Sequence, residues 1–172
     1  MCDSSGSPDL PGSSDSPDSP DRPEVVGRVE RRLSAEHADV LEALSACADA
    51  VAAEWGDGGD KNDGETAAER PPRTTDREAV GPPLHRALDA SGLLAHLPCV
   101  LSDLVTAAGR PMPASPVAAP PYVVVTSEGV LLRASLDDGR LVVSLRVFDI
   151  DRSGGEPGYV RRDGVDPAVE FR

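Results

Sequence analysis

Two histidines and a cysteine lie close enough in the sequence to raise the question of a metal site. His85, His96 and Cys99 fall in one apolar stretch, and Asp89 follows His85 by four residues. A protein zinc site usually takes four ligands, or three and a water, often from close pairs such as Cys-x2-Cys. This stretch offers a single His-x2-Cys pair, and Cys99 is more typical of a small buried side chain. We therefore predict no metal ligand here.

The sequence also lacks the patterns of nucleophilic and phosphoryl chemistry. A catalytic serine or cysteine needs a base and an orienting acid in register, and no Gly-x-Ser-x-Gly elbow surrounds any serine. No Gly-rich phosphate loop ending in Lys-Ser/Thr occurs, and no Gly-x-Gly-x-x-Gly follows a strand. Cys47 lies near an apolar helical stripe, which is typical of packing. We predict no catalytic residue, no cofactor and no cofactor-binding residue, and an enzyme is the less favoured class.

Arginines on a predicted sheet are the groups best suited to binding, because a guanidinium donates paired hydrogen bonds to carboxylates and other anions. Arg133 and Arg146 each lie in a run of alternating residues, on the side expected to face away from the core. We take that side as the candidate interface, formed by Tyr122, Val124, Leu131, Arg133, Arg146 and Phe148. Three interpretations stay open: a solvated sheet face, a surface for a partner or a second copy, and a small-anion site.

Three β-rich runs must position those side chains. Residues 122–126, 130–136 and 141–150 are separated by Glu128-Gly129 and Asp138-Gly139, and an Asp-Gly pair between alternating runs is a strong hairpin signal. With these dipeptides as loops, the pairs run from Leu136 with Leu141 to Val130 with Val147, and all are apolar on one face. The pattern predicts a three-stranded antiparallel β-meander. Its register also makes Arg133 and Arg146 diagonal neighbours.

Helices are predicted to cover the apolar face of the meander. Residues 24–55 carry apolar side chains at spacings of three and four, with a break near Leu33 as an option. Residues 81–109 are almost free of charge and predict two short buried helices, the first ended by Gly92 and the second holding Pro98 in its first turn. The fold class is therefore α+β, with N-terminal helices packed on one face of a C-terminal meander.

The composition divides the chain into one domain and three attachments. Residues 1–22 consist mostly of Ser, Asp, Pro and Gly and predict a disordered tail. Residues 23–150 form the single α+β domain, which is interrupted by a flexible acidic insertion at 56–75. Residues 151–172 return to Gly, Asp, Arg and Pro, and we predict a C-terminal extension that is partly ordered at most.

The charge and the missing residue types indicate a habitat more than an activity. The chain has thirty acidic and seventeen basic residues, which gives a net charge of −13. Lys61 is the only lysine, and glutamine is absent. In this composition the chain resembles short uncharacterised proteins of halophilic archaea, which keep molar salt in the cytoplasm. The resemblance implies a salt-adapted, cytoplasmic protein. At ~1 M salt the Debye length is roughly 3 Å, so surface carboxylates hardly repel one another.

Several compartments and partners are disfavoured by the sequence. The sequence contains no run of ~18 apolar residues, so no membrane span is predicted. Its N-terminus has neither the basic nor the apolar segment of a signal peptide, so none is predicted. Three widely spaced cysteines do not predict a disulfide framework. The sequence has no basic patch that would indicate nucleic-acid binding. The helix predicted over 98–108 is neutral and therefore unlike a DNA-recognition helix.

These observations leave two classes of function. The favoured one is a non-enzymatic protein that acts through protein contacts, by its outward sheet face or the edge of the 141–150 strand. The alternative is a small ligand-binding or enzymatic domain with a pocket between the helices of 81–109 and the sheet. A concave pocket with converging polar groups would favour the alternative, and a flat apolar patch would favour an interface.

Overall fold

The computed structural model describes residues 22–55, 71–153 and 155–172. The tail predicted for 1–22 lies outside these ranges except for Arg22, as does most of the insertion, and both stay predictions. In the described ranges, four helices pack on one face of a five-stranded antiparallel sheet. The predicted α+β class is confirmed. The three predicted strands pair in sequence order and antiparallel, but a sheet of only three strands is wrong, because two further strands complete it.

The predicted helix over 24–55 is two helices, α1 (Arg22–Glu36) and α2 (Ala38–Ala53). The break lies at His37, which is the residue before α2, and not near Leu33. The three- and four-residue spacing places one stripe of each helix in the core, as the sequence indicates. The buried residues are Val25, Val29, Leu33, Val40, Leu44, Cys47, Ala48, Val51 and Ala52.

The neutral middle of the chain forms α3 (Gly81–Ala90) and α4 (Leu93–Ala107), preceded by a 3-10 helix at Arg77–Ala79. Gly92 separates the two helices with φ of 76°, a conformation that glycine adopts at little cost. Pro98 lies inside α4 and not in its first turn, so the predicted start of this helix was too late. The leucines and valines of α4 fill the centre of the core.

The length and composition of the helices bear on membrane insertion. In the described ranges, no single helix is long and apolar enough to cross a bilayer. The segments Arg77–Ala90 and Leu93–Ala107 reach that composition only as a pair, across a bend of 85°.

The sheet contains β1 (Arg73–Thr74), β2 (Val123–Val125), β3 (Gly129–Leu136), β4 (Gly139–Asp151) and β5 (Gly158–Phe171), in the order β1-β5-β4-β3-β2. The segment predicted to be partly ordered at most supplies β5, which pairs with β4 along most of its length. The segment predicted as insertion supplies β1, which pairs with β5. The predicted domain boundaries at 75 and 150 are therefore wrong.

Both hairpin loops lie one residue earlier than the sequence predicts, which displaces every cross-strand partner by two. Ala134 faces Leu141, and Val130 faces Leu145, where we expected Val143 and Val147. A displacement of two residues leaves each side chain on its predicted face because strand side chains alternate with a period of two. The predicted partners are wrong, yet the apolar face toward the helices is correct up to Val147.

A β-bulge ends that agreement. The carbonyl oxygen of Glu128 accepts hydrogen bonds from two successive amides, Val147 at 2.8 Å and Phe148 at 3.1 Å. Two residues of β4 thus oppose one residue before β3, and the alternation of faces inverts. Val147 and Phe148 are both fully buried. The ring of Phe148 packs on Trp55, with 5.0 Å between the ring centroids.

On the other side of β4, β5 loops out at the level of the bulge. Phe148 pairs with Arg161 and Arg146 with Asp166, which leaves residues 162–165 without β4 partners. The Arg161 side chain, 8% exposed, fills the opening. Its guanidinium donates to the carbonyl oxygens of Val147 (3.1 Å), Gly164 (3.0 Å) and Arg162. It also reaches α2, at Ser45 Oγ (2.7 Å), the Ser45 carbonyl (3.1 Å) and Asp49 (2.8 Å).

Candidate functional site

The strands present one face to the helices and a second face away from them, which we call the outer face. Alternation places Leu132, Val143 and Leu145 in the core, so their neighbours along each strand point the other way. The outer face is formed by Val124, Leu131, Arg133, Ser135, Arg140, Val142, Ser144, Arg146, Asp166, Ala168 and Glu170.

A row of small and apolar residues crosses the middle of the outer face. Val124 pairs with Leu131, Leu131 with Ser144, and Ser144 with Ala168. All four residues are half-buried. Val124, Leu131 and Ala168 are not among the residues packed against the hydrophobic core, so their contacts are with neighbours on their own side of the sheet. The side chains of the row become shorter from Leu131 toward β5.

Charged rows flank the apolar row on both sides. One row runs Arg133–Val142–Glu170 across β3, β4 and β5, and the other places Arg146 beside Asp166. Arg146 is paired with Asp166 at 3.1 Å, whereas Arg133 has no ion pair with any other described residue. Both signs of charge are interspersed, as is common around protein-binding surfaces.

The structure places most of the predicted interface residues on the outer face. Val124, Leu131, Arg133 and Arg146 lie there as expected. Tyr122 precedes β2 and is half-buried against the core, while its carbonyl oxygen accepts from the Arg133 amide at 2.8 Å. The prediction that Phe148 lies on this face is wrong, because the bulge turns its side chain into the core.

The two predicted arginines are not diagonal neighbours. Arg133 pairs with Val142, and Arg146 pairs with Gly129, four residues away along β3. The displacement of the register by two residues separates them. A small-anion site that would use both guanidinium groups is therefore not assembled on the outer face.

A second cluster of polar side chains joins α1, α2 and α4. Arg32 donates two hydrogen bonds to the Asp103 carboxylate, at 2.7 and 2.9 Å, and His37 Nε2 lies 2.9 Å from the same group. The hydrogen bond from Arg32 is the main cause that lowers the pKa of Asp103 to about 2. No serine, cysteine or threonine hydrogen-bonds to His37 in the described ranges, so the arrangement lacks a nucleophile. It holds the α1–α2 junction against α4.

A cavity of about 570 Å³ lies between the start of α3 and the end of β2. Its polar lining includes Arg77, Glu78 and His85, all exposed. In the described part of the chain, these three side chains form no ion pair. The cavity is the nearest match to the pocket expected between 81–109 and the sheet.

The residues considered for metal binding are scattered over the surface. Among the described residues, no group of three His, Cys, Asp or Glu side chains could hold a metal ion. Cys99 is exposed and not buried as expected, and His85 and His96 are exposed as well. Cys47 is buried in α2, as predicted.

Sequence reasoning missed two groups that organise the fold. Asp103 and Arg32 are 71 residues apart, and Arg161 lies 116 residues from Ser45. Because the partners in each pair are far apart in the sequence, no short sequence pattern indicates that they interact. The charge of Asp103 within an otherwise neutral helix is the one signal that could have indicated a buried or paired role.

Comparison with known proteins gives a family but no activity. No curated protein and no solved structure matches the chain. A family model, described as Domain of unknown function (DUF7988), matches residues 27–172. That match covers the whole sheet and the four helices except the first residues of α1, so the chain belongs to this family of unknown function.

Proposed function

We propose that the protein is a non-enzymatic domain that acts by binding another protein through its outer face. The observation that carries the proposal is the one-sided packing of the sheet. The helices pack on one face, while Val124, Leu131, Val142 and Ala168 on the other are outside the core and have no described helix over them. A sheet with one uncovered and partly apolar face is a common basis for protein contacts.

The charges of the outer face support a protein partner over other classes. Nucleic acid needs a positive patch that neutralises phosphates. On the outer face, Arg146 is paired with Asp166 and Arg172 with Glu170, and the two remaining arginines, Arg133 and Arg140, are too few for such a patch. Interspersed charges around a small apolar centre match the polar rim and apolar core of protein interfaces.

We further propose that the contact operates in a salt-rich cytoplasm, as the composition indicates. High salt weakens ion pairs between exposed charges, while strongly hydrated salts strengthen apolar association. The apolar row Val124–Leu131–Ser144–Ala168 would then supply the affinity, and the flanking charges would supply the orientation.

The test is binding by variants of the outer face. Leu131→Lys places a charge in the apolar row, and Val117→Lys is the matched control, because Val117 is 54% exposed and lies outside the outer face. Tagged proteins would be used to isolate partners from a native host at its own salt concentration, with folding checked by circular dichroism. We expect a defined set of partners, including untagged copies of the chain, to be lost with Leu131→Lys and kept with Val117→Lys. Equal recovery with both variants contradicts the proposal.

The competing function, a ligand-binding or enzymatic domain, rests on the cavity between α3 and β2. Its open shape and exposed charged lining support it less than the outer face supports protein binding. A buried catalytic site normally brings titratable groups with shifted pKa values together. The described groups with a lowered pKa, Asp103, Asp138 and Asp151, do not line this cavity.

A further inference from the structure

We infer that the protein bound by the outer face is a second copy of this chain, related by a two-fold axis that runs along β4. This inference rests on the proposed function and names its partner. It starts from the row Arg133–Val142–Glu170, in which an arginine and a glutamate are the neighbours of one central valine.

The symmetry of that row makes it self-complementary. A two-fold axis parallel to β4, lying between two facing sheets, exchanges β3 and β5 and leaves β4 opposite its own copy. Arg133 of one copy then faces Glu170 of the other, and the pair occurs twice. Packed sheets lie ~10 Å apart, a distance that an arginine and a glutamate can bridge together.

Both members of the pair are available. Arg133 is exposed and has no ion pair with another described residue. Glu170 is paired with Arg172, whose side chain is 74% exposed. An exposed ion pair of this kind contributes little to stability, so Glu170 can exchange its partner at small cost.

The same axis matches the apolar row by size. Leu131 of one copy faces Ala168 of the other, so a large side chain meets a small one, and Val142 and Ser144 each face their own copies. Alternation of large and small residues lets facing layers interdigitate. Arg140 and Arg146 of β4 also face their own copies. Each Arg146 is held by Asp166 of its own chain at 3.1 Å, which offsets the repulsion, while the exposed Arg140 lies at the start of β4, where its side chain can turn to solvent.

The size of the surface predicts a reversible dimer. Three strands spaced ~4.8 Å apart, over a length of about six residues, cover about 300 Å² on each copy. A total of about 600 Å² is below the usual size of specific interfaces and is typical of weak, transient contacts. We therefore expect monomer and dimer to exchange at the protein concentrations used in sedimentation experiments.

Charge reversal tests the arrangement by sedimentation velocity at ~0.1 M salt, where the ion pairs are least screened. Arg133→Glu opposes Glu170 twice in the dimer, and Glu170→Arg opposes Arg133 twice. Each single variant is expected to dimerise at least tenfold more weakly than wild type. An equimolar mixture of the two variants forms only matched pairs in the mixed dimer, so dimerisation should return. The double variant should dimerise as wild type does.

The outcomes separate this inference from the proposed function. A monomeric wild type, with host partners still lost by Leu131→Lys, overturns the second copy as partner and leaves protein binding in place. A wild-type dimer whose two variants do not complement each other overturns the two-fold arrangement. If Leu131→Lys changes neither dimerisation nor partner recovery, both the inference and the proposed function are wrong. Because Arg133 and Glu170 are exposed, their variants should fold, and circular dichroism checks this.

Discussion

Arg161 shows how one residue can connect two layers of a small domain. Its side chain is 8% exposed, and its hydrogen bonds join the carbonyl groups of the opened β5 segment to Ser45 and Asp49 of α2. Buried carbonyl groups need a donor, and the bulge leaves several of them turned inward. The five N–H groups of one guanidinium are a geometric match for that need.

Removal of Arg161 should therefore destabilise the fold strongly. Arg161→Ala leaves buried carbonyl groups without donors, and we expect a loss of about 3 kcal/mol in the free energy of unfolding. Arg161→Lys should recover less than half of this, because an ammonium group cannot bind all the acceptors at once. The control is Arg162→Ala, which breaks exposed ion pairs to Asp149 and Asp166 and should cost less than about 1 kcal/mol. Urea unfolding measures all three; equal losses for the two alanine variants would refute this role.

Asp103 gives the stability a defined dependence on acid. Its folded-state pKa of about 2 is below the ~3.9 of an unfolded aspartate, so its ion pair stabilises the fold fully above pH ~4. This contribution is lost as the pH falls from about 4 through about 2. Because Asp103 is partly exposed, we expect about 1 kcal/mol.

The check is the pH dependence of unfolding in Asp103→Asn. This variant should be less stable than wild type at neutral pH, and the difference should shrink below pH ~4. Asp89→Asn, at an exposed position of α3 without an ion pair to a described residue, serves as control and should follow wild type. A difference between Asp103→Asn and wild type that is constant over the whole pH range would argue against the assigned cause.

At the scale of elements, the bulge in β4 decides which predictions succeed. Up to Val147 a simple alternation rule places every residue of β4 on its correct face. Beyond it the rule fails for Phe148, because one extra residue inverts the alternation. A bulge depends on the partner strand and on packing beneath it, so the residues of β4 alone do not reveal it.

Strand β5 was missed for a related reason. Pro167 and Gly164 are both depleted in strands, and they lower the strand signal of 158–171. Arg140 and Arg172 exchange both of their backbone hydrogen bonds. By alternation from this pair, the nitrogen of Pro167 points away from β4. A proline is tolerated there because no ladder bond is lost, and β1 reaches only Tyr159 and Val160 on that edge.

The turn before β3 offers a sharp test at this scale. Gly129 has φ of 149°, and an added Cβ would lie 2.0 Å from the carbonyl oxygen of Leu145. Gly129→Ala must displace β3 from β4, and we expect a loss of about 2 kcal/mol or more. Gly27→Ala is the matched control, since a Cβ at Gly27 in α1 meets nothing within 4 Å and alanine favours helix by about 0.5–1 kcal/mol. The two substitutions should shift the thermal midpoint in opposite directions, and a shared direction would count against the strand contact.

At the scale of the whole molecule, charge and core are separated. In the described ranges no charged or polar residue is fully buried, and one hydrophobic cluster contains residues of all four helices and of β2–β5. The charged side chains of the described residues therefore lie at the surface or at its edge. That separation was visible in the sequence, because residues 81–109 are nearly uncharged. The same segment correctly indicated the centre of the core. For the candidate site, the sequence predicted which side chains lie on the outer face up to the bulge, but not which residues are cross-strand partners, because that depends on the register.

The stability should accordingly rise with salt. Between ~0.1 M and ~1 M the Debye length falls from about 10 Å to about 3 Å, which removes most of the repulsion among surface carboxylates. We expect the thermal midpoint to rise by about 3–8 °C, equivalent to 1–2 kcal/mol for a domain of this size. Calorimetry in potassium chloride measures it. Neutralising two exposed helix acids by Glu30→Gln and Glu42→Gln should reduce the rise, and an unchanged response would show that screening is not its source.

The position of β5 in the chain has a consequence for synthesis on the ribosome. β5 contacts β4, β1, α1 and α2, and it follows all of them in sequence. When translation has reached Asp151, one edge of β4 and part of the helical layer have no partner. The next twenty residues, through Phe171, take about 1–4 s to add at 5–20 residues per second. Until residues 158–171 have been added and have left the ribosome, β4 has an unpaired edge that can pair with other chains, so the complete sheet can form only after this segment emerges.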